Sequence, residues 1–292
     1  MLKQLRLILK TMRPKQWIKN VFVLAAVVFD RQLTNVQSVL VTLLAMLLFC
    51  LVSSLVYIIN DLTDIEADRQ HPEKRHRPLA SGELSRNWAI SAAVVLGIIA
   101  FPSAYGLNVQ FGLLISGYFL LMLAYSLWLK HIPLLDVMII AIGFVLRVAG
   151  GQVVIVTERF SPWLYVATTF LALFIGIGKR RSELELLESH AVEHRRVLDG
   201  YTLELLDQLL VIVLTTTLMT YCLYTFTSAD NLGNYSMLLT IPFVIYALFR
   251  YLYLLKVKHI GGAPEVVVLT DRPMLLSIIL WGLTVLLILY LS

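Results

Sequence analysis

The run QSVLVTLLAMLLFCLVSSLVYII at residues 37–59, followed at once by NDLTDIEADRQHPEKRHRPLASG at 60–82, decides how the rest of the chain is read. Its first half carries no charge and is long enough to cross about 30 Å of hydrocarbon as a helix. Its second half is ionic, with Asp61, Asp64, Glu66, Asp68 and Glu73 set among Arg69, Lys74, Arg75 and Arg77. At roughly 100° per residue, a helix continuing beyond Ile59 brings Asp61, Asp64 and Asp68 onto one face within about a 60° arc. Carboxylates that close repel one another unless a cation sits among them. Their hard oxygens, with Asn60 as a further ligand, suit Mg²⁺, which shares its remaining positions with phosphates. Lys74, Arg75 and Arg77 stand ready to hold those phosphates. A solvated loop that only sets topology is the plainer alternative, but it gives no reason for acids in helical register directly at a span end.

Composition places the chain in the polytopic membrane class: 292 residues, 59% hydrophobic, 15% charged, mean hydropathy +0.80. Further apolar runs of spanning length occupy residues 133–156, 160–178, 208–229, 231–249 and 273–291. Residues 87–129 hold no Asp, Glu, Lys or Arg and must fold back between 102 and 110. With a short first span at 17–29, the expectation is an all-α bundle of nine transmembrane helices, one domain over residues 1–292. The N-terminus resembles a signal peptide but has no small-x-small cleavage site after its apolar core, so it reads as a retained first span behind a basic arm at 1–16. Cys50 and Cys222 both lie in apolar runs, which argues against a disulfide framework or a thiolate metal site.

Loop charge sets the expected orientation. All but Arg31, Arg147 and Arg159 of the 24 Lys and Arg residues fall in the N-terminal arm or in loops at about 60–86, 129–133, 179–207 and 250–272. The positive-inside rule then makes the N-terminus and every complex charged loop cytoplasmic, and nine spans put the C-terminus on the opposite side.

Other charged stretches add candidates. YSLWLK at 125–130 ends in Lys130, either a snorkelling anchor or a phosphate ligand. Asp136 and Arg147 lie eleven residues apart, within about 20° on one helix face, and ionisable groups at that depth imply a polar pocket open to the cytoplasm. GKRRSELELLE at 178–188 offers Lys179, Arg180 and Glu183, or else a self-paired helix with positive-inside anchors. HAVEH at 190–194 fits the inverted zinc-protease pattern, a weak match with no distinct third ligand. In GGAPEVVVLTDRP at 261–273, a turn and helix start account for the proline but not for Glu265 and Asp271.

At these residues the chain resembles the UbiA-type intramembrane prenyltransferases over nearly its whole length. Asn60, Asp61, Asp64 and Asp68 match the NDxxDxxxD signature, and Arg77-Pro78-Leu79 matches what trails it. The resemblance implies a helical bundle around a central cavity open to the cytoplasm, a lateral opening for the lipid chain, and Mg²⁺ bridging aspartates to diphosphate. One departure narrows it. Where aromatic prenyltransferases of the family carry a second aspartate-rich motif, this chain has Lys179, Arg180, Arg181 and Glu183. That patch, with RPKQWIKN (13–20), YSLWLK, GKRRSEL and PEVVVLTDRP, resembles the decaprenyl-phosphate phosphoribosyltransferase branch.

The branch implies attack of a polyprenyl phosphate on the anomeric carbon of phosphoribosyl diphosphate, a step towards a cell-envelope arabinose donor. It places Asn60, Asp61, Asp64 and Asp68 on Mg²⁺ and diphosphate, with Lys74, Arg77, Tyr125 and Lys130 on phosphates. Lys179, Arg180 and Glu183 take the ribose phosphate or the lipid phosphate, with Lys19, Asn20 and Arg147 as further candidates. Its partners are membrane lipids of the bacterial cytoplasmic membrane and other copies of the chain, such as a trimer, with no nucleic acid. The rivals are an aromatic polyprenyltransferase, a transporter of phosphorylated solutes and a zinc protease.

Overall fold

The computed structural model describes residues 2–71, 74–157, 161–189 and 196–291, all helix, turn and loop with no strand among them. The HAVEH stretch at 190–194 lies outside the described residues. Among the described residues eight helices are long and apolar enough to cross a membrane. The chain divides into two compact units: residues 1–27, 32–130 and 146–157 form one, and 28–31, 131–145 and 158–292 the other.

In the first unit, α1 (Leu2–Thr11) is followed by a 3₁₀ segment, Pro14–Leu24, and by the short α2 (Ala25–Phe29). Here the structure differs from the expected first α-helical span, because the stretch is mostly 3₁₀. At about 2.0 Å per 3₁₀ residue and 1.5 Å per α residue, Pro14 to Phe29 still reaches roughly 30 Å. A three-residue period stacks Trp17, Asn20 and Val23 in one column. Trp17 Nε1 donates to Ser54 Oγ at 3.0 Å, Asn20 Nδ2 donates to Cys50 Sγ at 3.2 Å, and Val23 is fully buried. An α-helical period would fan these three over about 120°.

That column packs on α3 (Val36–Thr63), which starts at Asn35, whose side chain accepts from the Ser38 amide. Hydroxyls inside α3 are satisfied within the helix, as hydrocarbon requires: Thr42 Oγ1 donates to the Ser38 carbonyl and Ser54 Oγ to that of Cys50, both at 2.7 Å. After α4 (Ile65–Gln70), the apolar 87–129 run folds back within the expected window. A single residue, Asn108, separates α5 (Arg86–Leu107) from α6 (Val109–Leu127) and caps the second by accepting from the Phe111 amide. Leu48, Phe49, Phe111, Ile115 and Tyr118 form the core where α3, α5 and α6 meet. Over its apolar window α3 is 56% buried and α5 only 11%, so α3 is the inner helix and α5 presents Ile90, Val94 and Ile98 outward.

The helix α7 (Leu135–Val153) gives its later part to this unit and its earlier part to the second. Near its end, a Cβ on Gly151 would stand 1.9 Å from the Val23 carbonyl oxygen, so only glycine lets the 3₁₀ backbone come this close.

The second unit is built on α8 (Pro162–Ser189) and α9 (Leu203–Leu232), with α10 (Ile241–Val257), α11 (Pro264–Thr270) and α12 (Arg272–Leu291). Phe174, Leu206, Leu210, Tyr251 and Leu255 are its buried centre. In the same unit Trp281 Nε1 donates to Tyr221 OH at 2.7 Å, and Tyr221 OH shares a 2.7 Å hydrogen bond with Thr240. Asp271, which the sequence leaves without a role, caps α12 by accepting from the Met274 amide and grips Arg250 with both oxygens, at 3.2 and 2.8 Å. The Arg250 guanidinium and that amide hold the Asp271 carboxyl below its ordinary range, outweighing burial.

Two outcomes follow from this packing. Helix propensity alone favours Gly151→Ala by about 1 kcal/mol, but the backbone clash should reverse the sign. We expect a loss of ~1–3 kcal/mol in thermal unfolding of the detergent-solubilised protein, whereas Gly97→Ala, whose Cβ would meet only Leu55 at 3.9 Å, should be neutral or stabilising. Because the folded Asp271 carboxyl is depressed, its contribution is present above the unfolded value of about 3.9 and is lost as pH falls through the lower folded value. In an acid titration, Asp271→Asn should therefore be less stable than the parent at neutral pH, and the gap should narrow only in strong acid.

Candidate active site

The acidic signature sits where α3 ends. The helix does not run straight through it: Asp64 (φ −97°, ψ 11°) separates α3 from α4, although Asp64 N still donates to the Asn60 carbonyl and Asp68 N to that of Asp64. The break divides the three aspartates that an unbroken helix would align. Asp61 and Asp68 are buried, 2% and 3% exposed, and converge on Arg77, whose Nη1 lies 3.2 Å from Asp61 Oδ1 and 2.6 Å from Asp68 Oδ2. Arg13 Nη2 reaches the same Asp61 oxygen at 2.6 Å, with its guanidinium over the Tyr57 ring at 4.7 Å. Asp64 turns to Lys130, 3.1 Å away, so Lys130 is an ion-pair partner here. Asn60 is half-buried beside Asp61 and hydrogen-bonds to it. Tyr125 is half-buried at the end of α6, and Lys74 is exposed in a 3₁₀ turn, its amide donating to His71 Nδ1.

Among the described residues no three His, Cys, Asp or Glu side chains converge closely enough to hold an ion. The donor set still fits Mg²⁺, because two carboxylates joined by substrate phosphates suffice for that cation. Asp61 and Asp68 already share one cationic nitrogen, Arg77 Nη1.

A second constellation in the same unit surrounds Arg147, which is 8% exposed. Its Nε donates to Asn20 Oδ1 and its Nη2 to Tyr118 OH, both at 2.7 Å, and the guanidinium lies over the Tyr118 ring. Hydrogen bonding of this kind makes a charge tolerable at membrane depth. Lys19, the residue before Asn20, is half-buried.

In the second unit, Arg180 is 2% exposed and bound through Nε to Asp136 Oδ2 at 2.6 Å and through Nη1 to Glu183. Asp136, 0% exposed, also accepts from Tyr201 OH at 2.6 Å, and Tyr201 OH in turn accepts from the Leu134 amide. Burial and the bond to Asp136 push the Tyr201 phenol far above its ordinary value, so it remains a donor. Arg181 pairs with Glu185 and Asp207, and Lys256 with Asp207. Of the three consecutive cations, Lys179 has the most open side chain, 39% exposed against 2% and 8%. Its Nζ is 4.0 Å from Glu183.

The sequence reading missed Arg13 as a partner of Asp61. Its signal was the basic RPKQWIKN stretch, but 48 residues separate the pair. Tyr118 gave no signal, because a single tyrosine in an apolar run is indistinguishable from a packing residue, and Tyr201 gave none because its partner Asp136 is 65 residues away.

Taken together, the apolar helices and the acidic cluster at a span end define an all-α polytopic membrane protein with ionic clusters at the end of α3 and along α8. The chain belongs to the UbiA prenyltransferase family, whose profile matches residues 21–267. It is 32% identical over 289 residues to the decaprenyl-phosphate phosphoribosyltransferase of Corynebacterium glutamicum, covering 97% of this chain and 86% of that protein. To the Mycobacterium tuberculosis protein of the same name it is 33% identical over 287 residues, covering 95% and 92%. Its fold is similar to that of a UbiA homolog from Archaeoglobus fulgidus bound to GPP and Mg²⁺, with a TM-score of 0.69 at 21% identity over 97% of this chain and 96% of that one.

The buried pair at Asp136 yields a further prediction. Asp136→Asn leaves the Arg180 charge without its fully buried counter-ion and should cost ~3–5 kcal/mol, whereas replacing both residues by leucine should recover most of the loss. Thermal unfolding of the purified variants checks both.

Proposed function

We propose that this chain transfers the 5-phosphoribosyl group of phosphoribosyl diphosphate to a polyprenyl phosphate in a Mg²⁺-dependent reaction. A lipid phosphate oxygen forms a bond to the anomeric carbon, the bond from that carbon to the diphosphate oxygen breaks, and diphosphate departs with the electron pair. The observation that carries this reading is full-length similarity to phosphoribosyltransferases, combined with a cationic stretch at 179–181 where an acidic motif would mark a second metal grip.

Bound Mg²⁺ would neutralise charge developing on the leaving diphosphate. Asp61 and Asp68, with Asn60 beside them, are the residues to hold it, and Asp64 holds Lys130 in position. Arg77, Arg13 and Lys130 can donate to diphosphate oxygens, with Tyr125 and Lys74 as outer donors. Arg147, fixed by Asn20 and Tyr118, offers a desolvated cation for a phosphate, with Lys19 next to Asn20. Lys179 is the residue of its triplet free enough to meet the ribose 5-phosphate or the lipid phosphate, while Arg180 and Glu183 serve as its support. A phosphate monoester already carries ionised oxygens at neutral pH, its second pKa being about 6, so the nucleophile needs no general base. The acidic cluster and basic loops belong on the cytoplasmic side of a bacterial inner membrane.

Membranes containing the protein, given labelled phosphoribosyl diphosphate and polyprenyl phosphate, should form labelled lipid and release diphosphate. Asp61→Asn and Asp68→Asn should each lower the rate by about 100-fold or more, and Lys179→Ala should raise KM for a phosphorylated substrate. Labelled lipid that never forms, or prenylation of an added aromatic acceptor instead, would contradict the proposal.

A further inference from the structure

Asp61 Oδ1 receives two guanidinium groups, Arg13 Nη2 at 2.6 Å and Arg77 Nη1 at 3.2 Å, and the same Arg77 nitrogen reaches Asp68 Oδ2 at 2.6 Å. These carboxylates are buried, while the side chains of Arg13 and Arg77 keep 29% and 26% of their exposure. The acids are fixed and the cations have room to move. We infer that Arg77, assisted by Arg13, competes with the divalent cation for the Asp61 and Asp68 oxygens and yields them when diphosphate arrives. Metal and diphosphate then bind with strong positive coupling, and the metal alone binds weakly. The inference rests on the reading of this cluster as a metal and diphosphate site.

The physical reason is an exchange of partners. A divalent ion approaching alone must displace guanidinium groups from buried carboxylates, leaving those groups near a second positive charge with no anion to replace the one they lose. Diphosphate removes that cost, because its oxygens accept bidentate guanidinium bonds as well as a carboxylate does. Tyr57, under Arg13, holds one guanidinium by its ring face while the change occurs. Coupling between two ligands is reciprocal, so the metal should tighten diphosphate by the same factor by which diphosphate tightens the metal. A simpler role, in which Arg77 braces the carboxylates in the geometry the metal needs, makes the opposite prediction for the metal.

The test uses the purified full-length protein with Mn²⁺ as probe, its free concentration read by electron paramagnetic resonance with and without inorganic diphosphate. The parent should bind Mn²⁺ weakly, and diphosphate should tighten it within the ~5- to 150-fold range usual for coupled ligands. Arg77→Gln should bind Mn²⁺ alone about fivefold more tightly than the parent, and its diphosphate enhancement should fall to about twofold or less. Arg13→Gln should move both quantities in the same direction, and it carries the test if Arg77→Gln does not fold. Unchanged or weakened Mn²⁺ binding in the glutamine variants overturns the inference in favour of the brace. A parent that binds no Mn²⁺ under either condition removes the site reading and the inference together. Coupling that disappears in Arg77→Gln in a protein that transfers no phosphoribosyl group upholds the inference and removes only the choice of substrate.

Discussion

A buried carboxylate must have a positive partner, and in this chain that constraint shapes everything around the end of α3. Asp61 and Asp68 are buried around the end of the apolar helix α3, and an isolated charge there costs several kcal/mol. One guanidinium, that of Arg77, serves both. To reach them, the chain must leave α3, turn at Asp64, complete α4 and come back through the 3₁₀ turn at Lys74–His76. The loop that looks merely charged in the sequence is thus folded by its own ion pairs. The same rule repeats at Asp136 with Arg180, and Arg147 is held by hydrogen bonds to Asn20 and Tyr118.

The constraint also separates residues that hold the fold from residues available to a ligand. Arg180 and Asp136 satisfy each other almost completely away from solvent, so removing either damages the protein before it damages any reaction. Arg77, Arg13 and Lys130 are anchored at one end only, with a fifth to a third of each side chain still open. A phosphate can take their bonds when a cation takes their place beside the buried Asp61 and Asp68. Lys179, the most open of its triplet, belongs with them.

Much of this was legible in the sequence, for physical reasons. Hydrocarbon leaves little choice but long apolar helices, and the eight among the described residues lie close to where hydropathy puts them. The turn at Asn108 was bounded because 87–129 is too long for one crossing. Asp61 and Asp68 announced themselves by following an uncharged span in helical register. What remained hidden depends on contacts distant in the chain or on backbone detail. The 3₁₀ winding of Pro14–Leu24 follows from Trp17, Asn20 and Val23 all facing α3, and hydropathy does not distinguish periods of 3.0 and 3.6 in so short a run. The pairing of Arg180 with Asp136 spans 44 residues, so a cation that looked like a ligand proved to be sealed. Asp271 went unexplained in the sequence although it stands at an N-cap position ahead of Arg272-Pro273; its grip on Arg250, 21 residues away, gave no signal at all.

The central claim is that the carboxylates now held by Arg77 are those that receive the metal. A structure of the protein with Mn²⁺ and inorganic diphosphate, located by anomalous scattering, tests it directly. The account predicts the ion between Asp61 and Asp68, with the Arg77 guanidinium moved onto diphosphate oxygens. An ion bound elsewhere, or Arg77 still bridging both aspartates beside a bound ion, would contradict it.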